Sequence, residues 1–159
     1  MKIGFGGGCH WCTEGVFQSI KGVTHVDQGW IQSDGTDDWF SEAVIVTFDH
    51  NEISQETLIE IHLLTHSSQA DHSMRSKYRS AIYFFDEAQE EEIKNALLAL
   101  QEQAKGKYIT KVIPMVRFRR NKERFLNYYQ KNPKAPFCQT YISPKLEKLR
   151  RTHKGLIAD

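Results

Sequence analysis

Short apolar runs alternate with polar breaks along this chain, and the spacing of the runs predicts most of its elements. Ile3 to Phe5 is apolar and reads as a strand over residues 2–5. Val16, Phe17 and Ile20 recur at helical spacing, which predicts a helix over 10–20 with Gly22 as its C-cap. Val23 to Ile31 reads as a second strand. Glu42 to Phe48, with Val44, Ile45, Val46 and Thr47 in succession, reads as a third. The residues between them, 33–38, are polar and form a turn. Ser54 is placed to cap a helix along Leu58, Ile61 and Thr65. Residues 66–77 are polar and irregular, the pattern of a long loop that carries a site.

Tyr78 to Phe85 is a further predicted strand. Asp86 and Gln89 have capping-box spacing and open a helix over 87–104 along Ile93, Leu97 and Leu100, with Gly106 as its stop. Tyr108 to Val116 reads as a strand ending irregularly at Pro114. A helix over 121–130, a connector through Pro136 and a terminal helix after Pro144 complete the chain. The first 85 residues thus run β-α-β-β-α-β, the split βαβ arrangement. The expected class is α/β (α+β). It has a ferredoxin-like core with a mixed sheet, flanking helices and an added C-terminal part. Its 159 residues are expected to form one catalytic domain.

Charge is divided unevenly. Residues 1–104 hold 6 Lys/Arg and 17 Asp/Glu, a net −11; residues 105–159 hold 15 and 3, a net +12. Because the basic part also carries strand and helix patterns, the two parts are expected to fold together and neutralise one another, without a nucleic-acid surface. No apolar run reaches membrane-spanning length, and no apolar segment follows Lys2 as in a secretory signal. Three cysteines are too few for a disulfide scaffold and fit a reducing, cytoplasmic setting.

Two of those cysteines lie in Gly6-Gly7-Gly8-Cys9-His10-Trp11-Cys12-Thr13-Glu14. A strand, a glycine turn and a helix start would place Cys9 where unpaired backbone N–H groups and the helix dipole favour a thiolate. Cys12, three residues on, shares its helical face and can attack a species formed on Cys9. Trp11 offers an apolar wall. Glu42, at the head of an apolar strand, is a candidate acid, and Tyr78 a candidate hydroxyl donor. His62, His66 and His72 are spaced too loosely for a metal site, so no metal is expected.

On these residues the chain resembles the peptide methionine sulfoxide reductase A family. The likeness continues in Lys21-Gly22-Val23, Ser41-Glu42-Ala43-Val44, Lys77-Tyr78-Arg79-Ser80-Ala81-Ile82-Tyr83, Lys131-Asn132-Pro133, Phe137-Cys138 and Pro144-Lys145-Leu146. The resemblance implies reduction of methionine sulfoxide, free or in proteins and of the S epimer, through a sulfenic acid and a disulfide. Cys9 would be the nucleophile, Glu42 the acid and Tyr78 a hydrogen-bond donor to the oxygen; Cys12, on the same helical face as Cys9, is expected to resolve the sulfenic acid, with Cys138 or direct reduction by an outside thiol as the alternatives. His10, Trp11 and Trp30 would line the substrate. His10 stands where the family usually has Phe, and Trp30 where it usually has Tyr. The family's loop before Tyr78 is shorter here, with Asp71 and Ser73 as its nearest counterparts. No cofactor is implied. Thioredoxin (or dithiothreitol in vitro) would be the reductant, and the protein would work as a monomer. Two other classes fit the bare motif: a general thiol–disulfide oxidoreductase, and a peptide-binding module without turnover.

Overall fold

A computed structural model describes residues 1–70 and 78–158. Its centre is a six-stranded sheet of β1 (Lys2–Gly6), β2 (Val23–Gln32), β3 (Phe40–Phe48), β4 (Ala81–Phe84), β5 (Lys111–Pro114) and β6 (Arg117–Arg120), in the order β5-β4-β1-β3-β2-β6. β4 and β5 run parallel and all other neighbours antiparallel. The four central strands, β4-β1-β3-β2, are the ferredoxin-like core expected from the first 85 residues. β5 and β6, from the later part of the chain, extend its two edges.

Strand alternation sorts the side chains. Val44, Val46 and Phe48 of β3 join Ile3 and Phe5 in the larger core, under α1 (His10–Gln18), α2 (Gln55–Thr65) and α5 (Ser143–Thr152). Ala43 and Ile45 face the other way, against Ile31, Ala81 and Tyr83. The rings of Phe5 and Phe17 stack at 4.7 Å and fasten α1 over β1. Each such fully buried side chain contributes ~1.5–3 kcal/mol. Both predicted helix caps form: Ser54 accepts the Thr57 N–H at 3.1 Å, and Asp86 the Gln89 N–H at 2.8 Å at the head of α3 (Glu87–Gln103). No helix among the described residues is long and apolar enough to cross a membrane.

Three expectations need correction, and one strand goes beyond them. The helix expected over 121–130 is instead a 3₁₀ turn, Glu123–Phe125, followed by the single-turn α4 (Tyr128–Lys131). Asn127 interrupts it, with φ +58° in the left-handed region. β6 was not anticipated, because its Arg117, Phe118, Arg119, Arg120 sequence offers one apolar residue; backbone pairing to β2 makes it a strand. α1 ends at Gln18 with Ser19 as its C-cap, and Gly22, at φ +94°, serves the turn into β2. The strand expected from Tyr78 narrows to β4, since Arg79 spends its N–H on the Ser41 hydroxyl at 2.8 Å.

The glycine turn after β1 is tightly enclosed. Gly7 sits at φ +142°, and a Cβ there would lie 2.4 Å from the His66 ring. Only glycine fits both constraints, and its position sets where α1 begins.

Candidate active site

α1 begins immediately after that turn, with Cys9 in the N-cap position. The Cys9 carbonyl accepts the N–H groups of Cys12 and Thr13, both at 3.1 Å, which winds the motif into the first helical turn. That turn sets Cys12 beside Cys9 on one helical face. Cys9 is held down at about 4, first by the Cys12 thiol donating to it, then by the His10 side chain and the Trp11 amide; burial opposes the shift. The same contact pushes Cys12 up, helped by its burial, while the Lys145 ammonium pulls the other way. Lys145 in turn is lowered by burial and donates to the Thr65 carbonyl.

Glu42 is buried on β3, only 4% exposed. Its register partner across the ladder is Trp30 of β2, so the two side chains leave the sheet side by side. His10 closes the group from above. Its backbone N–H lies 3.3 Å and its Nδ1 3.1 Å from Glu42 Oε1, and its ring meets Trp30 edge-on at 5.3 Å. Donor atoms of Cys9, His10 and Glu42 all lie within 4.8 Å of one another. Such a trio is compact enough for a cation, which the sequence pattern did not reveal. Among them the His10 backbone N–H donates to Glu42, while His10 Nδ1, though 3.1 Å from Glu42 Oε1, makes no hydrogen bond to any described residue in this geometry.

Trp11 turns to the other flank. Its Nε1–H donates to the Phe125 carbonyl at 3.1 Å, its ring stacks on Tyr128 at 4.1 Å, and Phe137 meets it edge-on at 5.5 Å. An aromatic wall therefore stands beside Cys9, built from segments far apart in sequence. Glu14 anchors it. Buried at 1% exposure, its carboxylate accepts the N–H groups of Asn127 at 3.0 Å and Tyr128 at 3.3 Å. Burial raises Glu14 above the ordinary carboxylate range, against those hydrogen bonds.

The structure thus brings Cys9, Cys12, His10, Glu42 and Trp30 together, with Trp11 adjoining. Tyr78 is half-buried and immediately precedes Arg79, whose hydrogen bond to Ser41 holds the backbone beside the head of β3. Cys138 is fully buried in the main core, at the start of a π-helical turn, Cys138–Ile142, that leads into α5. Asp71 and Ser73 lie outside the described residues.

Gln28, Asn121, Tyr128 and Phe125 stand outside the motifs legible in the sequence. Gln28 is fully buried; it donates to the Phe125 carbonyl at 3.0 Å and accepts from Asn121 Nδ2 at 2.6 Å. A buried Gln in an otherwise strand-like run was the one available signal. Glu14 was visible in the motif, but its partners were not.

Comparison with known proteins agrees with this geometry. The family model described as peptide methionine sulfoxide reductase matches residues 1–156. A peptide methionine sulfoxide reductase MsrA from Psychrobacter sp. (strain PRwf-1) is 33% identical, with 99% of each chain covered. One from Acinetobacter baumannii (strain SDF) is 30% identical over 98% of this chain and 97% of its own. Among solved structures, reduced Mxr1 from Saccharomyces cerevisiae shares the fold with a TM-score of 0.76 at 20% identity, covering 89% of this chain and 90% of that one. Mxr1 in complex with Trx2 does so at 0.62 and 19% identity, covering 78% and 82%.

Proposed function

We propose, for a chain that belongs to the peptide methionine sulfoxide reductase family, that it reduces methionine sulfoxide to methionine with Cys9 as nucleophile and Glu42 as acid. The observation that carries this reading is the pairing of a low-lying Cys9 thiol with a buried carboxyl group across one small site. A sulfoxide sulfur is a poor electrophile until its oxygen receives a proton or a strong hydrogen bond. Glu42 supplies the proton and Cys9 attacks the sulfur. The S–O bond breaks, methionine leaves, and Cys9 is left as a sulfenic acid.

His10, Trp30 and Trp11 border the methyl and chain ends of the substrate, and Tyr78 adds a hydroxyl toward the oxygen. So asymmetric a pocket takes one sulfoxide epimer, which the family resemblance implies is the S form. Cys12 resolves the sulfenic acid. Its thiol attacks the Cys9 sulfur, water leaves and a disulfide forms. Once Cys9 carries oxygen it no longer draws the Cys12 proton as a thiolate does, and Lys145 then favours the Cys12 thiolate. The fully buried Cys138 stands second, since reaching Cys9 would require opening the core.

A dithiol partner of the thioredoxin type returns the disulfide to two thiols. The complex of the structurally similar Mxr1 with Trx2 supports that choice. Three free cysteines fit a reducing, cytoplasmic setting, and one sheet spanning both halves of the chain fits a single domain acting as a monomer. The test is a coupled assay with methionine sulfoxide, thioredoxin, thioredoxin reductase and NADPH. Sulfoxide-dependent NADPH oxidation, lost in Cys9→Ser, is expected. Turnover of general disulfides without sulfoxide turnover would refute the reading.

A further inference from the structure

The row of paired residues that crosses the sheet at the site does not stop at Trp30. Glu42 of β3 pairs with Trp30 of β2, and on its other side Trp30 pairs with Arg119 of β6, the edge strand. Side chains at paired positions leave a sheet on the same face, so Arg119 stands on the face that carries Glu42 and Trp30. Asn121, just past β6 and on the same face, has the same orientation. Its Nδ2 lies 3.4 Å from His10 Nε2 and 2.6 Å from Gln28 Oε1.

From that edge the Arg119 side chain reaches back across β2. Its guanidinium lies over the ring of Phe40 on β3, 4.3 Å from the ring centre. Phe40 and Glu42 alternate onto one face of β3, roughly 6–7 Å apart along the strand. The ring takes one face of the planar cation, and the exposed Arg119 keeps its edge of N–H donors toward solvent. Arg79 offers the contrast. It too lies over aromatic rings, of Trp39 and Tyr83, but it spends its N–H groups on the carbonyls of Ile31, Asp37 and Trp39 and on the Tyr83 hydroxyl. Among the described residues the Arg119 guanidinium has neither a carboxylate nor a hydrogen-bond acceptor as partner. Residues 117–124 hold five cations, Arg117 and Arg119 among them, against the single acid Glu123, so this rim of the site favours an anion.

Resting on the sulfoxide-reductase reading above, we propose that Arg119 is a specificity residue, whose guanidinium binds a carboxylate of the substrate while the sulfoxide lies between Cys9 and Glu42. A guanidinium edge meets a carboxylate with two parallel N–H···O bonds. The side chain of methionine sulfoxide is comparable in length to the step from Glu42 to Phe40, so a sulfoxide oxygen held at Glu42 leaves the backbone end of the substrate near the stacked cation. Two carboxylates answer to this chemistry: the α-carboxylate of free or C-terminal methionine sulfoxide, and the side chain of an Asp or Glu beside it in a peptide.

The test compares wild type with Arg119→Gln, which removes the charge, and Arg119→Lys, which keeps the charge without the fork. Two matched pairs of substrates are used. One is N-acetylmethionine sulfoxide and its N-methylamide; the other is a short peptide, blocked at both ends, with Glu or with Gln after methionine sulfoxide. In wild type the carboxylate member of a pair is expected to have a KM ~2–5-fold lower, as for an exposed ion pair, at equal kcat. Added salt should shrink the difference. Arg119→Gln should abolish it by raising KM for the carboxylate member alone, and Arg119→Lys should keep part of it. A preference confined to the first pair assigns the α-carboxylate, and one confined to the second assigns the acidic neighbour; either supports the proposal. Equal KM values within both pairs in wild type would overturn it, as would a loss in Arg119→Gln that falls equally on the uncharged members, the mark of a merely structural residue. Binding of the same four ligands to Cys9→Ser, followed by titration calorimetry, needs no turnover. A protein inert to every sulfoxide would therefore refute the reductase reading, and equal binding within both pairs would overturn the role of Arg119 in either case.

Discussion

The Glu14 carboxylate accepts the backbone N–H of Asn127 at 3.0 Å, joining residues 113 positions apart. Glu14 lies five residues beyond Cys9 on the same helix, and Asn127 opens the turn that carries Tyr128, on which Trp11 stacks. One buried carboxylate thus fixes the helix that begins at Cys9 relative to the aromatic wall. Asn127 adopts left-handed backbone there, and Gln18 Nε2–H donates to its side-chain oxygen at 2.7 Å.

Glu14→Ala would leave the half-buried N–H groups of Asn127 and Tyr128 without this acceptor. Stability is expected to fall by about 1–3 kcal/mol, the cost of a stranded buried donor. Trp11 fluorescence should shift as Tyr128 loosens. Urea unfolding followed by that fluorescence checks both. An unchanged midpoint and spectrum would show that the turn is held by other contacts.

Glu42→Gln keeps a hydrogen-bond donor and loses the transferable proton. The sulfoxide step is expected to slow by ~10²–10⁴-fold, while reduction of a preformed disulfide by thioredoxin is unchanged. Rapid-quench measurement of methionine release separates the two. An unaltered first step would remove Glu42 as the acid.

Cys9 should react as a thiolate well into the acid range, since its folded value is lowered to about 4 from an ordinary 9.0. Iodoacetamide should label Cys9 down to about that pH and leave Cys12, which is raised, largely untouched. Linkage gives the sign for stability. A lowered folded value contributes fully above 9.0, and the contribution is lost as pH falls through about 4. Wild type should therefore gain stability over Cys9→Ser as pH rises between those limits. Parallel stability curves for the two proteins would contradict the shift.

Lys145→Met should slow disulfide formation after the sulfenic acid appears and leave methionine release intact. The Lys145 ammonium favours the Cys12 thiolate, and its removal takes that help away. A stopped-flow sulfenic-acid probe checks this. Equal lifetimes of the sulfenic acid in both proteins would exclude the role.

How much of this was legible in the sequence depended on whether a residue's task was local. Periodicity marked β1, α1, β3 and α2 because each turns an apolar face to one core, and the caps at Ser54 and Asp86 depend on neighbours three residues away. The Gly-Gly-Gly-Cys run read correctly because the turn and helix start are encoded within it. β6 escaped because its strand character comes from β2, across the sheet. The 121–130 helix failed because Glu14, more than a hundred positions away, draws off the N–H groups of Asn127 and Tyr128. The candidate site residues divided the same way. Cys9 and Cys12 declared themselves by spacing, and Glu42 by being acidic at the head of an apolar strand. The chain from His10 through Asn121 to Gln28 exists only once three distant segments meet.

The most direct test of the account gives the reduced protein one equivalent of methionine sulfoxide with no reductant, then measures methionine released and maps the cysteines by mass spectrometry. The account predicts one methionine per protein and a Cys9–Cys12 disulfide. It also predicts no release from Cys9→Ser, and a trappable sulfenic acid on Cys9 when Cys12 and Cys138 are both serine. Methionine release that persists in Cys9→Ser, or a wild-type protein that releases none, would contradict it.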